Sequence, residues 1–369
     1  MKQEHLTGAV AKVSLDAAAQ NYLTLRSRTK VKFCCVIKAN AYGHGAAVLG
    51  TLYEKLGADG FAVATADEAL TLRRAGIRAP ILILGYVPPD FVPRAICESL
   101  TLTVYAREQA AALAAKTRAG CLHVHLKTDT GMGRLGFPAG DVADATASVM
   151  ALPGMDITGI YTHLARADEG ESGHDATETQ LRDFAQAADT AERVLGRRLL
   201  RHADNSAGLL AYPDGAFDMV RAGLALYGYP PAGIGDAPTL RPILTLAAPL
   251  ISVKEVPPGS PIGYGGTFVT ERPSRIGIIP LGYADGIPRL AGAHGCKVSV
   301  GCGCAPVIGR VCMDQTLLDL TDCGGTFGDT VTVYGDEPGT RLTDWAENLG
   351  AIPYELLTSL GARVRRVYK

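Results

Sequence analysis

Short apolar runs alternate with longer amphipathic stretches along the first 225 residues. Eight runs read as strands: Phe33 to Ile37, Phe61 to Ala64, Ile81 to Leu84, Leu102 to Val104, Leu122 to Leu126, Ile157 to Tyr161, Leu199 to His202 and Asp218 to Arg221. Stretches such as Ala66 to Ala75, Arg107 to Arg118 and Thr177 to Leu195 separate them and read as helices. In the last of these, Leu181, Phe184, Ala188, Ala191 and Leu195 recur at helical spacing behind a Thr177/Gln180 capping signature. The unbroken apolar character of Phe33-Cys34-Cys35-Val36-Ile37 suits a strand buried on both faces. Eight such βα units in a row predict an α/β fold, a closed (β/α)8 TIM-type barrel, with an open doubly wound sheet as the alternative.

After Arg221 the texture changes. Gly228 to Pro238 is rich in glycine and proline and reads as a linker. Beyond it come strand-like runs: Leu240 to Val256, Arg275 to Pro280, Lys297 to Val300, Gln315 to Leu320, Asp329 to Tyr334 and Arg363 to Tyr368. One helix is expected near Thr343 to Leu349, with Thr343 as its N-cap. The reading is therefore a barrel domain over 1–235 and a second, mainly β domain over 236–369. A length of 369 residues agrees with two domains.

Composition narrows the class. Hydrophobic residues at 47% and charged residues at 20% give enough apolar material for a sizeable core and exclude a disordered chain. Net charge is −1, so no global field draws in a polyanion, and no nucleic-acid partner is expected. Charge at Lys12 and Asp16 interrupts the N-terminus before any signal-like run, and the stretch 222–235, which has no Asp, Glu, Lys or Arg, is too short to span a bilayer and is broken by glycines and prolines. A soluble, cytoplasmic protein with no membrane partner is expected. The nine cysteines are expected to be reduced, and although Cys302 and Cys304 form a C-x-C pair, the paired spacing of a zinc site is absent and no metal is expected.

Candidate chemistry sits at strand ends, where barrel enzymes build their sites. Lys38 follows the first strand, Lys127 ends the fifth, His163 follows the sixth, Asn205 and Ser206 follow the seventh and Arg221 ends the eighth. A partly desolvated lysine has a lowered pKa and can supply the neutral amine that forms a Schiff base, although a lysine can also simply reach from such a place to the rim. Ser206 and Gly223 match a barrel phosphate site. An imine-forming lysine with a phosphate cradle points to pyridoxal 5'-phosphate.

The same residues carry a resemblance. Ile37-Lys38-Ala39-Asn40-Ala41-Tyr42-Gly43-His44-Gly45 resembles the cofactor-lysine motif of the alanine racemase family. Further matching segments follow in that family's order: Lys127 to Phe137, Gly159 to Asp168, His202 to Gly208, Val220 to Gly228, Gly263 to Phe268, Pro280 to Gly286 and Gly309 to Gln315. The resemblance implies a pyridoxal-phosphate racemase that interconverts L-alanine and D-alanine and supplies D-alanine for peptidoglycan.

It also implies roles. Lys38 would hold the cofactor and serve one face of the substrate's α-carbon, while Tyr264 would serve the other, since inverting a centre needs a proton removed on one side and one delivered on the other. With a usual pKa near 10, a tyrosine can act as a base only where cations favour its phenolate, and Arg221 and His163 are candidates to supply that charge. Arg221 would face the pyridine nitrogen, with His163 beside it. Tyr42, Asn205, Ser206, Gly223, Leu224 and Tyr354 would help to bind the cofactor, Leu224 through its backbone N–H. Arg134 and Met313 would bind substrate, with Cys312 and Asp314 shaping the Met313 loop. Lys127 corresponds to a lysine that carries a carbamate in some relatives, and Asp168, Tyr283 and Arg289 correspond to an access corridor. The family pattern implies a homodimer with shared active sites. A serine or broad-specificity racemase is the nearest alternative. A non-catalytic cofactor-binding barrel would lack the second domain. Asp204 departs from the pattern, in that relatives often carry a small residue there, and it is expected to point away from the phosphate.

Overall fold

The protein is described by a computed structural model covering every residue except 1–7, 119, 213–216, 232, 236 and 302. It divides into two compact units, one formed by Ala18–Ala41 and Ala46–Arg241, the other by the segment up to Ala17, Tyr42–Gly45 and Pro242–Lys369. The first strand, β1 (Val10–Val13), belongs to the second of these.

The first unit is the expected barrel. Its strands are β2 (Lys32–Val36), β3 (Gly60–Val63), β4 (Ile81–Ile83), β5 (Leu100–Val104), β6 (Leu122–Asp129), β8 (Met155–Tyr161), β9 (Leu200–His202) and β10 (Met219–Ala222), with a two-residue β7 (Phe137–Pro138) beside β6. They pair in parallel in the order β10-β2-β3-β4-β5-β6-β8-β9. The circuit closes through individual hydrogen bonds, from the Asp218 N–H to the Arg201 carbonyl at 2.9 Å and from the Arg221 N–H to the Asp204 carbonyl at 3.0 Å. Phe33, Cys34, Cys35 and Val36 are all buried, as a strand covered on both faces requires. The helix expected from Thr177 starts earlier, at His174, and runs to Leu195. Thr177 does not cap it; its hydroxyl donates to the Gly173 carbonyl one turn back at 2.8 Å, the usual recourse of a threonine inside a helix.

In the second unit a six-stranded sheet has the order β17-β16-β19-β11-β1-β20, formed by β11 (Leu244–Pro249), β16 (Lys297–Val300), β17 (Gly303–Pro306), β19 (Thr330–Tyr334) and β20 (Arg365–Tyr368) with β1. β1 runs antiparallel to β11 and parallel to β20. A cut at 235/236 therefore leaves the chain's first strand on the wrong side, because its backbone hydrogen bonds are made with strands more than two hundred residues away. A three-stranded sheet, β12 (Ser252–Val256), β15 (Ser274–Ile279) and β18 (Thr316–Asp319), and the pair β13 (Pro261–Ile262) and β14 (Phe268–Val269) complete the strands among the described residues. The single run expected over Leu240 to Val256 is thus two strands in different sheets. Between them the Leu250 N–H bonds to the Asp329 carbonyl at 2.8 Å and the Ile251 N–H to the Ile278 carbonyl at 2.9 Å.

The helix expected near Thr343 spans Leu342–Leu349, with Arg341 at the N-cap and no side chain capping it. Thr343 falls inside the first turn. Trp345 of this helix is fully buried, meets Tyr334 edge-on at 5.1 Å and donates its indole N–H to the Lys297 carbonyl at 2.8 Å. A second helix, Pro353–Ser359, was not foreseen; proline in its first turn fits a helix start. No helix among the described residues is long and apolar enough to cross a membrane.

Candidate active site

Lys38 follows the end of β2 after one intervening residue and opens a turn that sequence reasoning missed. Ala39, Asn40, Ala41 and Tyr42 have φ of 50°, 55°, 54° and 51°, one left-handed turn made without glycine. Each such residue costs about 1–2 kcal/mol, so the surroundings must hold the turn in place. Glu68 does part of this: its Oε1 accepts the Ala39 N–H at 2.6 Å and its Oε2 accepts the Ala64 N–H at 2.7 Å. Asn40 Oδ1 accepts the Ala46 N–H at 2.9 Å. Burial lowers the Lys38 pKa, the nearby Arg134 charge lowers it further, and Glu68 opposes the shift.

Arg221 is buried and bonds only to neutral acceptors. Nη1 donates to His202 Nδ1 at 2.9 Å, and Nη2 donates to the carbonyls of Thr162 at 2.9 Å and Ala203 at 2.8 Å and, more weakly, to His163 Nδ1 at 3.4 Å. Nε takes part in none of these bonds. Because Arg221 can only donate, His202 Nδ1 must accept, which puts the His202 proton on Nε2, where it is donated to His125 Nδ1 at 2.9 Å. Burial first, and the Arg221 charge second, push His125 down to about 3, His163 down to about 2 and His202 well below its usual value. All three imidazoles are neutral. Tyr161 stacks on His202 at 4.8 Å and donates to Thr103 Oγ1 at 3.0 Å, since Thr103 gives its own proton to the Ile83 carbonyl. Gly159 makes room for this row; a β-carbon there would lie 2.7 Å from the His125 ring.

Next to this row the chain forms a small cradle. Ser206 Oγ accepts the N–H groups of Gly223 at 2.9 Å and Ala225 at 3.4 Å, which brings the turn after β9 to the turn after β10. Asn205 caps the helix Ser206–Ala211, accepting the N–H groups of Ala207 and Gly208 at 3.0 Å. Leu224 begins a short 3-10 turn behind Gly223.

Lys127 is buried, and burial with the Arg221 and Arg134 charges lowers its pKa to about 7, against a smaller upward pull from Asp129. Its Nζ donates to the Thr128 carbonyl at 3.0 Å and lies 5.1 Å from the centre of the Tyr161 ring. Arg134 is exposed, on a loop shaped by Asp129, whose Oδ1 accepts the N–H groups of Gly131, Met132 and Gly133 at 3.0, 2.9 and 3.1 Å.

Asp168 lies in the barrel unit, and the second unit holds the remaining candidates. Tyr42 and Tyr354 are 5.7 Å apart, ring centre to ring centre. The Arg366 guanidinium ties the Tyr42 segment to the C-terminal strand, donating to the carbonyls of Gly43 at 2.9 Å, Leu360 at 2.7 Å, Gly361 at 2.6 Å and Val364 at 2.7 Å. Tyr264 is 68% exposed and is set among Gly263, Gly265 and Gly266, all at positive φ. The Arg310 guanidinium lies against this segment, 3.2 Å from where a β-carbon on Gly265 would be. The Met313 loop is fastened to the Tyr283 turn: the Tyr283 N–H bonds to the Cys312 carbonyl and the Ala284 N–H to the Met313 carbonyl, both at 3.0 Å. Arg363 joins them, pairing with Asp285 at 2.8 Å and with Asp314 at 2.9 Å.

Within the barrel the electrostatic coupling links Lys38, Lys127, Arg134, His163 and Arg221 as one group. His125 and His202 went unrecognised as site residues; for His125 the signal was its alternation with Lys127 in β6, since polar residues two apart on a barrel strand share a face. Cys302 lies outside the described residues. Cys304 is exposed in β17, and all cysteines among the described residues are free. One group of possible metal ligands occurs among the described residues, Cys121, His123 and Asp156, at the N-terminal ends of β6 and β8. There His123 Nδ1 and Asp156 Oδ2 already bond to one another at 2.9 Å, and Arg197 bonds to Asp156.

Comparison with known proteins bears on both units. Residues 13–231 match the family model for the alanine racemase N-terminal domain, and 243–368 match that for the C-terminal domain. Alanine racemase 2 of Caldanaerobacter subterraneus subsp. tengcongensis is 38% identical over 365 residues, spanning 96% of this chain and 93% of its own. The alanine racemase of Desulfovibrio desulfuricans is 40% identical over 367 residues, 97% of each chain. The crystal structure of alanine racemase from D-cycloserine-producing Streptomyces lavendulae superposes with a TM-score of 0.91 at 36% identity, covering 99% of this chain and 98% of the other.

Proposed function

The chain belongs to the alanine racemase family, and from that premise we propose that it interconverts L-alanine and D-alanine with pyridoxal 5'-phosphate, using Lys38 and Tyr264 as the two bases. The observation that carries the cofactor is the unused Nε–H of buried Arg221, a fixed donor beside the strand-end lysine and the Ser206 cradle. These features fit a phosphorylated aldehyde with a basic ring nitrogen. Lys38 would hold it covalently. Tyr42, Asn205, Ser206, Gly223, Leu224 and Tyr354 would seat its phosphate end, and His163 would flank its ring. When bound, this group supplies an electron sink that acidifies the substrate's α-carbon.

The protein's residues then divide the work. Lys38 Nζ, its proton affinity lowered by burial and by the Arg134 charge, takes or returns the α-proton on one face. Tyr264 Oη does so on the other. Arg221 would offer its Nε–H to the ring nitrogen of the bound group while keeping its own proton, because a guanidinium does not release one, and so would leave that nitrogen unprotonated and the sink weak. That restraint favours racemization over side reactions. Arg134 offers a guanidinium fork to the substrate carboxylate, and the Met313 backbone N–H supports it. Lys127, with an amine pKa near 7, has the neutral form needed to take up carbon dioxide as a carbamate, which would turn a repelling neighbour of Arg134 into an attracting one.

We further propose a cytoplasmic homodimer with shared active sites, making D-alanine for peptidoglycan. The exposure of Tyr264, Tyr283 and Met313, large apolar or aromatic groups on linked turns, supports a partner surface there. The test is a racemization assay on a panel of L-amino acids followed by circular dichroism. Alanine is expected to lose its optical activity fastest; faster turnover of serine or another amino acid contradicts the substrate assignment.

A further inference from the structure

Asp204 is the one buried carboxylate among the described residues with neither oxygen hydrogen-bonded, and it is 1% exposed. Such a group is costly unless it is neutral or opposes a charge, so its persistence calls for a physical reason. Its place is fixed by the backbone. The Asp204 carbonyl accepts the Arg221 N–H at 3.0 Å, at the junction that closes the barrel. The carboxyl lies against Gly208, where a β-carbon would come within 2.7 Å of Oδ1, so the glycine leaves the room the side chain occupies.

The ionisable groups on the elements around it are Arg221 on β10, Arg201 and His202 on β9 and His163 on the segment after β8; Arg201 is paired with Glu192 at 2.5 Å, and the helix Ser206–Ala211 carries none. Both histidines are neutral, for the reasons given above. Arg221, in turn, is a buried cation whose hydrogen-bond acceptors are all uncharged. With Arg201 paired to Glu192, Asp204 and Arg221 are left as the two buried charge-bearing groups here that form no ion pair.

We propose that Asp204 is a positioning residue whose proton tunes Arg221: as a neutral acid it leaves the field of the guanidinium whole, and as a carboxylate it offsets that field and weakens the pull of the Nε–H on the cofactor's ring nitrogen. This rests on the reading that Arg221 faces that nitrogen. Burial drives the Asp204 pKa up to about 7, with Arg221 pulling the other way, so both states are reached near neutrality. The proton exchanges with solvent and no bond to carbon is made or broken.

The test uses the holoenzyme and its Asp204→Asn variant, with Asp204→Ala as a second variant that removes the polar group altogether. Infrared difference spectra between acid and alkaline pH read the carbonyl band of a protonated carboxylic acid, and the visible spectrum reads the cofactor. In the wild type both are expected to titrate together with a midpoint near pH 7, and in either variant both titrations should vanish. Absence of a titrating acid band, or a cofactor titration that ignores Asp204, overturns the proposal. A chain that binds no pyridoxal phosphate overturns the proposed function instead, and the infrared band, which needs no cofactor, still decides whether Asp204 holds a proton.

Discussion

Lys127 owes its chemistry to its surroundings more than to its residue type. Its amine is held near pKa 7 chiefly by burial and then by the Arg221 charge, so the neutral form that reacts with carbon dioxide dominates above that pH and fades below it. With isotope-labelled bicarbonate, a carbamate carbon resonance is expected in the wild type, weakening as pH falls through 7 and absent from Lys127→Ala. That variant should lose most of its activity and regain part of it with added acetate; full activity without acetate would show that no carbamate is needed. At this scale the sequence was informative wherever a polar residue closes an apolar strand, as Lys38, Lys127 and Arg221 do. It was silent on Glu68, Arg310 and Arg366, whose partners are backbone groups or distant turns brought near only by folding.

The element that positions Lys38 is the left-handed turn over 39–42, continued by Gly43 and Gly45 at φ of 83° and 109°. Nothing in Ala-Asn-Ala-Tyr announces such a turn, because its composition suits an ordinary helix. Neighbouring groups crowd the end of the segment: a β-carbon on Gly43 would lie 2.3 Å from the Leu357 carbonyl oxygen, and one on Gly45 would lie 1.9 Å from the Tyr368 hydroxyl. Gly43→Ala should therefore cost about 2 kcal/mol or more, combining left-handed strain with a backbone clash. Denaturant unfolding measures this, and a variant as stable as the wild type would mean that the segment relaxes freely. The barrel strands were read correctly because a buried barrel strand is continuously apolar, a pattern that needs no knowledge of partners. Helix starts were not, since the role of Thr177 or Thr343 depends on which backbone groups lie within reach of its hydroxyl.

Across the whole molecule, the order of the barrel strands followed from the sequence, whereas the partition of the chain did not. β1 contributes to the β sheet because its edges match β11 and β20, and such long-range pairing leaves no local mark. Whether Lys38 and Tyr264 act on one substrate from two different subunits is likewise decided by assembly, since a two-fold dimer generates two equivalent shared sites. Mixing Lys38→Ala and Tyr264→Phe enzymes, each nearly inactive alone, tests this pairing most directly. With shared sites a heterodimer has one site carrying both defects and one carrying neither, so about half of a normal dimer's alanine racemization should return as subunits exchange. If the mixture stays inactive after exchange is complete, the pairing of the two residues across subunits is contradicted.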